Sequence, residues 1–270
     1  MFSIIGSNGF IGSNLVKRFN EESTDYSVPD IEDASFLNKN LGDVIYTLGV
    51  SDFKKKPYRT VDAHVCILRK ILENGRFDSF LYFSSGRIYY NGKTSFEDDS
   101  ITVNSSNIDD LYNISKLLGE SLCISSKLEN VRIVRPSNVT GNSFTSNLFI
   151  PSIIKDAIKD KKIVLHSSLD SEKDYVYIDD LTKIIPEISL NGKEKIYNIA
   201  YGQNTKTKSI VDEISRITNC SVEVAPDAQK FSFPQISIER IKNEFNFKPA
   251  SIIDKLENMV KSFENYHTKF

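Results

Sequence analysis

The chain has 270 residues, 40% of them hydrophobic, enough for one large core or for one domain with a small appended lobe. Acidic and basic residues are interspersed and nearly cancel, to a formal charge of −2, which leaves no electrostatic footprint for nucleic acid or an anionic membrane. Three widely spaced cysteines, Cys66, Cys123 and Cys220, make no C-x-x-C or Cys/His cluster, so neither a metal site nor a disulfide framework is expected. A first strand from about Phe2 leaves no room for a signal peptide, and no apolar run approaches the roughly 20 residues of a membrane helix. A cytoplasmic protein without a membrane partner is the expectation.

In chain order, "FSII" leads into the helical "GFIGSNLVKRFNEE", "DVIYTL" precedes a helix over 58–75, "FLYFSS" precedes one over 109–129, and "VRIVRP" closes the series. Short strands that are apolar at every position, alternating with helical stretches, predict an α/β fold. The sheet is expected to be parallel, doubly wound and covered by helices on both faces. Past Pro136 the loops lengthen. Strands are expected at "KIVL" and "YVYI", and helices near 207–217, 237–244 and 251–265.

"IIGSNGFIG" places Gly6, Gly9 and Gly12 between the first strand and the first helix. One glycine permits the turn, the next lets backbone approach a pyrophosphate, and the third lets helix and strand pack closely. Gly6, Asn8, Gly9, Phe10, Ile11 and Gly12 are therefore expected to hold a dinucleotide, with Leu48 and Ser84 at later strand ends beside it. Asp30 lies 18 residues past Gly12, a suitable distance for a ribose carboxylate. Only twelve residues then separate it from Gly42, too few for the usual further strand. This edge is expected to be trimmed, and Asp30 meets either the ribose or the adenine. The acidic "PDIED" without a nearby arginine favours NAD over NADP.

"LYNISKLLGE" sets Tyr112 and Lys116 one helical turn apart, on one face. A second Y-x-x-x-K, Tyr89 with Lys93, straddles the turn signal "YNG" and has no reason to converge. Ser84 and Ser85 end an apolar strand, where parallel sheets bind their ligands. Hydride transfer to a carbonyl requires an acid for the developing alkoxide. A lysine ammonium and an oxidised nicotinamide together are expected to lower the phenol from about 10 towards 7, which takes roughly 4 kcal/mol. Lysine also serves to hold the nicotinamide ribose.

Together these residues resemble the extended short-chain dehydrogenase/reductase family, in its nucleotide-sugar epimerase/dehydratase branch. "FSSGRIYY" resembles the family's strand-end segment and selects Ser85, four before Tyr89, as the catalytic hydroxyl beside Tyr112 and Lys116. "VRPSNVTG" implies Asn138 in the substrate pocket, "SNLFIPSII" implies Asn147 and Leu148, and "KDYVYIDDL" puts Lys173 where relatives carry a diphosphate-binding arginine. Lysine keeps the charge but loses the bidentate geometry. His166 falls where relatives place a residue beside the base, although a partly exposed loop histidine is the simpler reading. Arg87, Tyr89 and Tyr90 follow Ser85 and line the sugar site or simply pack.

The resemblance implies a Rossmann domain of residues 1–140, to which about 172–200 return, and a smaller nucleotide-sugar lobe of 141–171 and 201–270. Dehydratases of the family carry an Asp-Glu pair where this chain has Gly86 and Arg87, which argues against water elimination. A 4-keto-sugar reductase is narrowly favoured over a C4 epimerase, with a non-catalytic dinucleotide sensor third. A homodimer through the helices at 58–75 and 109–129 is implied by resemblance alone. His64 and His267 lack companions and are expected to be chemically idle. Arg135 reads equally as an ion pair or a substrate contact, and Tyr175 and Tyr177 as core.

Overall fold

A strand that is apolar at every position has somewhere to put both rows of side chains only if both sheet faces are covered. The structure, a computed structural model, describes residues 1–50 and 52–267 apart from the side chain of His267, so the expectation for that histidine lies outside the described residues. In chain order the first half comprises β1 (Phe2–Ile5), α1 (Phe10–Glu21), β2 (Tyr26–Ser27), β3 (Asp43–Tyr46), α2 (Pro57–Val61), α3 (Ile67–Asn74), β4 (Ser79–Phe83), α4 (Leu111–Ser125) and β5 (Val131–Pro136). Then come β6 (Asn138–Thr140), α5 (Phe149–Lys159), β7 (Lys162–Ser167), β8 (Glu172–Lys173), β9 (Tyr175–Tyr177), α6 (Ile178–Asn191) and β10 (Ile196–Ile199). The chain closes with β11 (Thr205–Lys206), α7 (Thr207–Thr218), β12 (Ser221–Gln229), α8 (Glu239–Phe245) and α9 (Ile252–His267).

Six strands form one parallel sheet in the order β10-β5-β4-β3-β1-β2. Alternate residues of each strand go to opposite faces. Ile5, Val44, Tyr46, Phe80, Tyr82 and Ile133 pack with Leu68, Ile71 and Cys123 from α3 and α4. Ile4, Ile45, Leu81, Phe83 and Val134 pack on the other side with Leu15 and Phe19 of α1 and with Leu181 and Ile185 of α6. That second core runs without a break into Ile154 of α5, Leu165 of β7, Ile214 of α7 and Phe263 of α9.

The trimmed edge is as expected. Beyond β1 lies only the two-residue β2, and the chain returns through a short 3-10 turn, Ala34–Asn38, anchored by buried Phe36. The helix foreseen over 58–75 is α2 and α3 joined by a π-type turn, Asp62–Cys66. The extra residue in such a turn re-aims its side chains, a feature frequent at functional sites. The helices expected near the C-terminus are α7, α8 and α9. β12 was not foreseen. Its residues are mostly exposed, and it is held as a strand by parallel pairing with β7.

Arg135 is an ion pair. Its guanidinium grips buried Glu120 through two bonds, 2.9 and 2.7 Å, and donates to Tyr89 Oη at 2.7 Å. Tyr89 is thereby packing rather than sugar-site lining. Tyr175 and Tyr177 are buried, as expected. His166 departs from the loop reading: it sits on β7, on the exposed side of the strand. No helix among the described residues is long and apolar enough to cross a membrane, and none of their His, Cys, Asp and Glu side chains group to hold a metal ion.

Candidate active site

The glycine loop explains itself by what a side chain would strike. Gly6 has φ of +91°, and a Cβ there would lie 2.7 Å from the Leu48 amide nitrogen. A Cβ on Gly12 would lie 2.3 Å from the Gly6 carbonyl oxygen. At Gly9 the one atom of the described residues within 4 Å of an added Cβ, apart from its chain neighbours, is the Gly6 carbonyl oxygen at 3.3 Å, so this backbone stays open on its outer side. Gly9 caps α1 without a side chain, and the first helical N–H groups, those of Phe10, Ile11 and Gly12, point out of the helix start, where a pyrophosphate is stabilised. Asn8 is exposed beside them. The loop fits the diphosphate of a dinucleotide. Asp30 is exposed just past β2, with Oδ1 accepting the Glu32 N–H at 3.0 Å, which leaves its second oxygen for a ligand.

Tyr112, Lys116 and Ser85 converge. Tyr112 and Lys116 lie on one face of α4, and Lys116 is only 3% exposed, its Nζ donating to the Phe83 carbonyl at 2.7 Å. That bond ties the lysine to the end of β4, the strand that also delivers Ser84 and Ser85. Ser84 is buried, and its hydroxyl has no partner among the described residues. The Ser85 hydroxyl accepts the Arg87 N–H at 3.1 Å, and the Ser85 side chain lies near enough to the Tyr112 phenol to influence its titration. The decoy pair stays apart: Tyr89 is turned into the core, and Lys93 is exposed.

The electrostatics correct the expected cause. Burial raises the Tyr112 phenol above its usual value, opposed first by the nearby Ser85 hydroxyl and then by the charge of Arg87. Lys116, 6.0 Å from the ring centroid, is not the cation that lowers it. Burial instead brings Lys116 itself down to about 7, against the pull of Glu120. The phenol is thus held as an acid, which is the form a reduction consumes.

Ser85 lines one cavity, and a second shares Lys173 with it. One, of about 570 Å³, is lined by Ser85, Arg87, Asn138, Lys173, Phe231 and Phe233 among others. The other, of about 540 Å³, is lined by Asn147, Phe149, His166, Lys173 and Phe231, with further residues of α5 and β7. Lys173 borders both. Its Nζ lies 5.6 Å from the ring centroids of Phe231 and Phe233, and burial with the charge of Arg87 lowers its titration. Lys173, which borders both cavities, and Arg87, which borders the first, are cations that suit a diphosphate. Asn138 lines the first cavity, with its amide committed to the Asp174 carbonyl at 2.8 Å. Leu148 does not join them: it caps α5, lines neither cavity and is 52% exposed.

A sequence model of the "NAD dependent epimerase/dehydratase family" matches residues 2–200, well over half the chain. The chain belongs to this family. Among curated relatives, dTDP-4-dehydro-6-deoxyglucose reductase of Escherichia coli is 25% identical over 75% of this chain and 66% of its own length. GDP-6-deoxy-D-talose 4-dehydrogenase of Aggregatibacter actinomycetemcomitans is 25% identical over 96% of both chains. A solved structure, RMD from Pseudomonas aeruginosa complexed with NADPH, superposes with a TM-score of 0.77 at 18% identity, covering 98% of this chain and 100% of that one, which speaks to the fold.

Within this epimerase/dehydratase framework, several lining residues escaped the sequence reading. Phe53 packs its ring 5.5 Å from that of Tyr112, and the Arg87 guanidinium lies 5.1 Å from the Phe53 ring centroid. Phe231 and Phe233 flank Lys173 from far along the chain. The alternation in "FSF" hints at an extended segment, but nothing in it names a cavity. Asp109 and Asp110 also border the first cavity. They lie in the short turn that leads into α4, where acidic residues are ordinary.

Proposed function

We propose that the protein is an NAD(P)-dependent reductase of a nucleoside-diphosphate 4-keto sugar. The observation that carries this reading is the gathering of Ser85, Tyr112 and buried Lys116 where the end of β4 meets α4, beside a cavity that Ser85 lines together with Arg87 and Lys173. The names of the curated relatives support the same chemistry. Residues 1–140 with 172–200 act as the dinucleotide-binding domain, and 141–171 with 201–270 as the sugar-nucleotide lobe. The protein works as a cytoplasmic homodimer.

A bound reduced nicotinamide supplies the hydride. Gly6 to Gly12 hold its pyrophosphate, and Lys116 holds its nearer ribose. Ser85 donates to the C4 carbonyl oxygen and orients it. Tyr112 gives its phenolic proton to that oxygen as negative charge develops, and the charge of Arg87 favours the phenolate left behind. Arg87 and Lys173 carry the substrate diphosphate. Gly86 and Arg87 supply no acid–base pair for eliminating water. NAD is the favoured cofactor because Asp30 meets a ribose edge with no arginine beside it.

The test is to mix the protein with a 4-keto nucleotide sugar and NADH or NADPH. Stoichiometric cofactor oxidation, abolished in Tyr112→Phe with dinucleotide binding retained, is the expected result. Inversion at C4 without net oxidation makes the protein an epimerase. Binding without either reaction makes it a dinucleotide sensor.

A further inference from the structure

One face of α5 carries Phe149, Ser152, Ile153 and Asp156, spaced by three or four residues, and all four border the cavity of about 540 Å³ that shares Lys173 with the cavity of Ser85. Phe149, Ile153, Tyr175 and Phe231 give this cavity apolar walls, which suit a flat ring. Asp156 stands out against them. Among the described residues it is the one acidic side chain that borders the cavity. It is half-buried, and its carboxylate has neither a hydrogen bond nor an ion pair among those residues. The lysine next to it in sequence, Lys155, donates instead to the Ser146 carbonyl, 2.7 Å away. A half-buried carboxylate left without a partner in an apolar cavity calls for a physical reason.

Lys173 sets the direction of a ligand. It borders both cavities, so a diphosphate held there leaves its sugar beside Ser85 and its nucleoside beside α5. Burial and the charge of Arg87 act on Lys173, with no carboxylate among the causes, so Asp156 stands off from the lysine and does not compete with phosphate for it. A carboxylate only accepts hydrogen bonds. Uracil and thymine offer it one N–H set between two carbonyl oxygens, which repel it. Cytosine and adenine offer an amino group beside a bare ring nitrogen. Guanine sets the N1 hydrogen and the N2 amino group side by side, matching the two oxygens of a carboxylate in a bidentate, charge-assisted pair.

We propose that Asp156 selects guanine, its two oxygens accepting the N1 and N2 hydrogens of the base, so that the substrate is a guanosine-diphosphate sugar. This rests on the nucleotide-sugar reading above and narrows it to one base. Ser152 and His166 border the same cavity and supply donors for the O6 and N7 acceptors of that base.

The test is calorimetric titration of the wild type with the diphosphates of guanosine, inosine, uridine and thymidine, which needs no variant. Guanosine diphosphate binds at least about thirtyfold more tightly than the two pyrimidine diphosphates. Inosine diphosphate, which lacks the N2 amine, binds about tenfold more weakly than guanosine diphosphate, the scale of one charge-assisted hydrogen bond. Asp156→Asn then reverses the choice. Its amide oxygen still accepts the N1 hydrogen, but its amino group meets the N2 amine, so guanosine diphosphate weakens about thirtyfold. Xanthosine diphosphate carries a carbonyl in place of that amine, and it binds the variant more tightly than it binds the wild type. A damaged fold cannot produce such a gain. Equal affinity of the wild type for guanosine and inosine diphosphates, or for guanosine and the pyrimidine diphosphates, overturns the selection and leaves the nucleotide-sugar reading standing. A guanosine preference that Asp156→Asn leaves unchanged assigns the recognition to other groups and overturns the role of Asp156. Failure of the wild type to bind any of the four diphosphates removes the nucleotide-sugar reading, and this one with it.

Discussion

Arg87 holds its guanidinium carbon 5.8 Å from the centroid of the Tyr112 ring, and its charge, not that of Lys116, opposes the burial that raises the phenol. Arg87→Met removes that opposition. Run in the oxidative direction, which needs phenolate, the variant has its rising pH limb displaced to higher pH than the wild type. A pH profile of kcat for alcohol oxidation measures the displacement. An unmoved limb assigns the control of Tyr112 elsewhere.

Tyr112→Phe deletes the proposed proton donor and leaves the ring that packs on Phe53. The expected loss is about 10²- to 10⁴-fold in kcat. Dinucleotide affinity stays within about threefold, because the phenyl ring keeps the packing with Phe53 and His64. Steady-state rates and a binding titration on the same preparation separate the two effects.

Lys116 makes folding stability depend on pH. In the unfolded chain it titrates near 10.4, and in the buried site at about 7. Between those values the unfolded chain binds a proton that the folded chain does not, so stability climbs as pH rises through that window. Lys116→Met removes this contribution, on the order of a few kcal/mol across the window. Urea unfolding at several pH values gives a flatter slope for the variant than for the wild type.

Glu120 and Arg135 are 4% and 5% exposed in their side chains, so neither charge has water to fall back on. Glu120→Ala strands the guanidinium and destabilises the fold by about 3–5 kcal/mol. Chemical denaturation of the two chains reads this directly.

The proposed homodimer has a surface to use. Leu118 and Ile124 on α4 are 47% and 53% exposed, and Tyr58 on α2 is 85% exposed. Leu118→Glu places a charge in that apolar face, and light scattering then finds a monomer where the wild type is a dimer. A wild type that is itself monomeric rules the dimer out.

Much of this architecture could be read from the chain because it is written in local periodicity. Strands such as "DVIY" are apolar on both faces, and Gly6, Gly9 and Gly12 keep their spacing between a strand and a helix. Tyr112 and Lys116 share a face because four residues is a helical turn. What stayed hidden depends on distant chain. The bond between His64 and Ser115 was not legible because the two stand 51 positions apart. Leu148 looked like a pocket residue by its place in "SNLFIP", but α5 begins right after it and turns it outward. The sign of the Tyr112 shift was not legible either, since it is a contest between burial and charge that only packing settles.

The short margin at β2 bears on how long a cofactor lingers. With two residues where a full strand and its flanking helix would otherwise stand, the adenosine end of a dinucleotide finds fewer walls to enclose it. An enzyme that reuses one molecule through both halves of its cycle is served by a deep berth. One that swaps a spent carrier for a fresh one every turnover is served by a shallow berth, and such a protein leaves the purification column with its cleft largely washed clean.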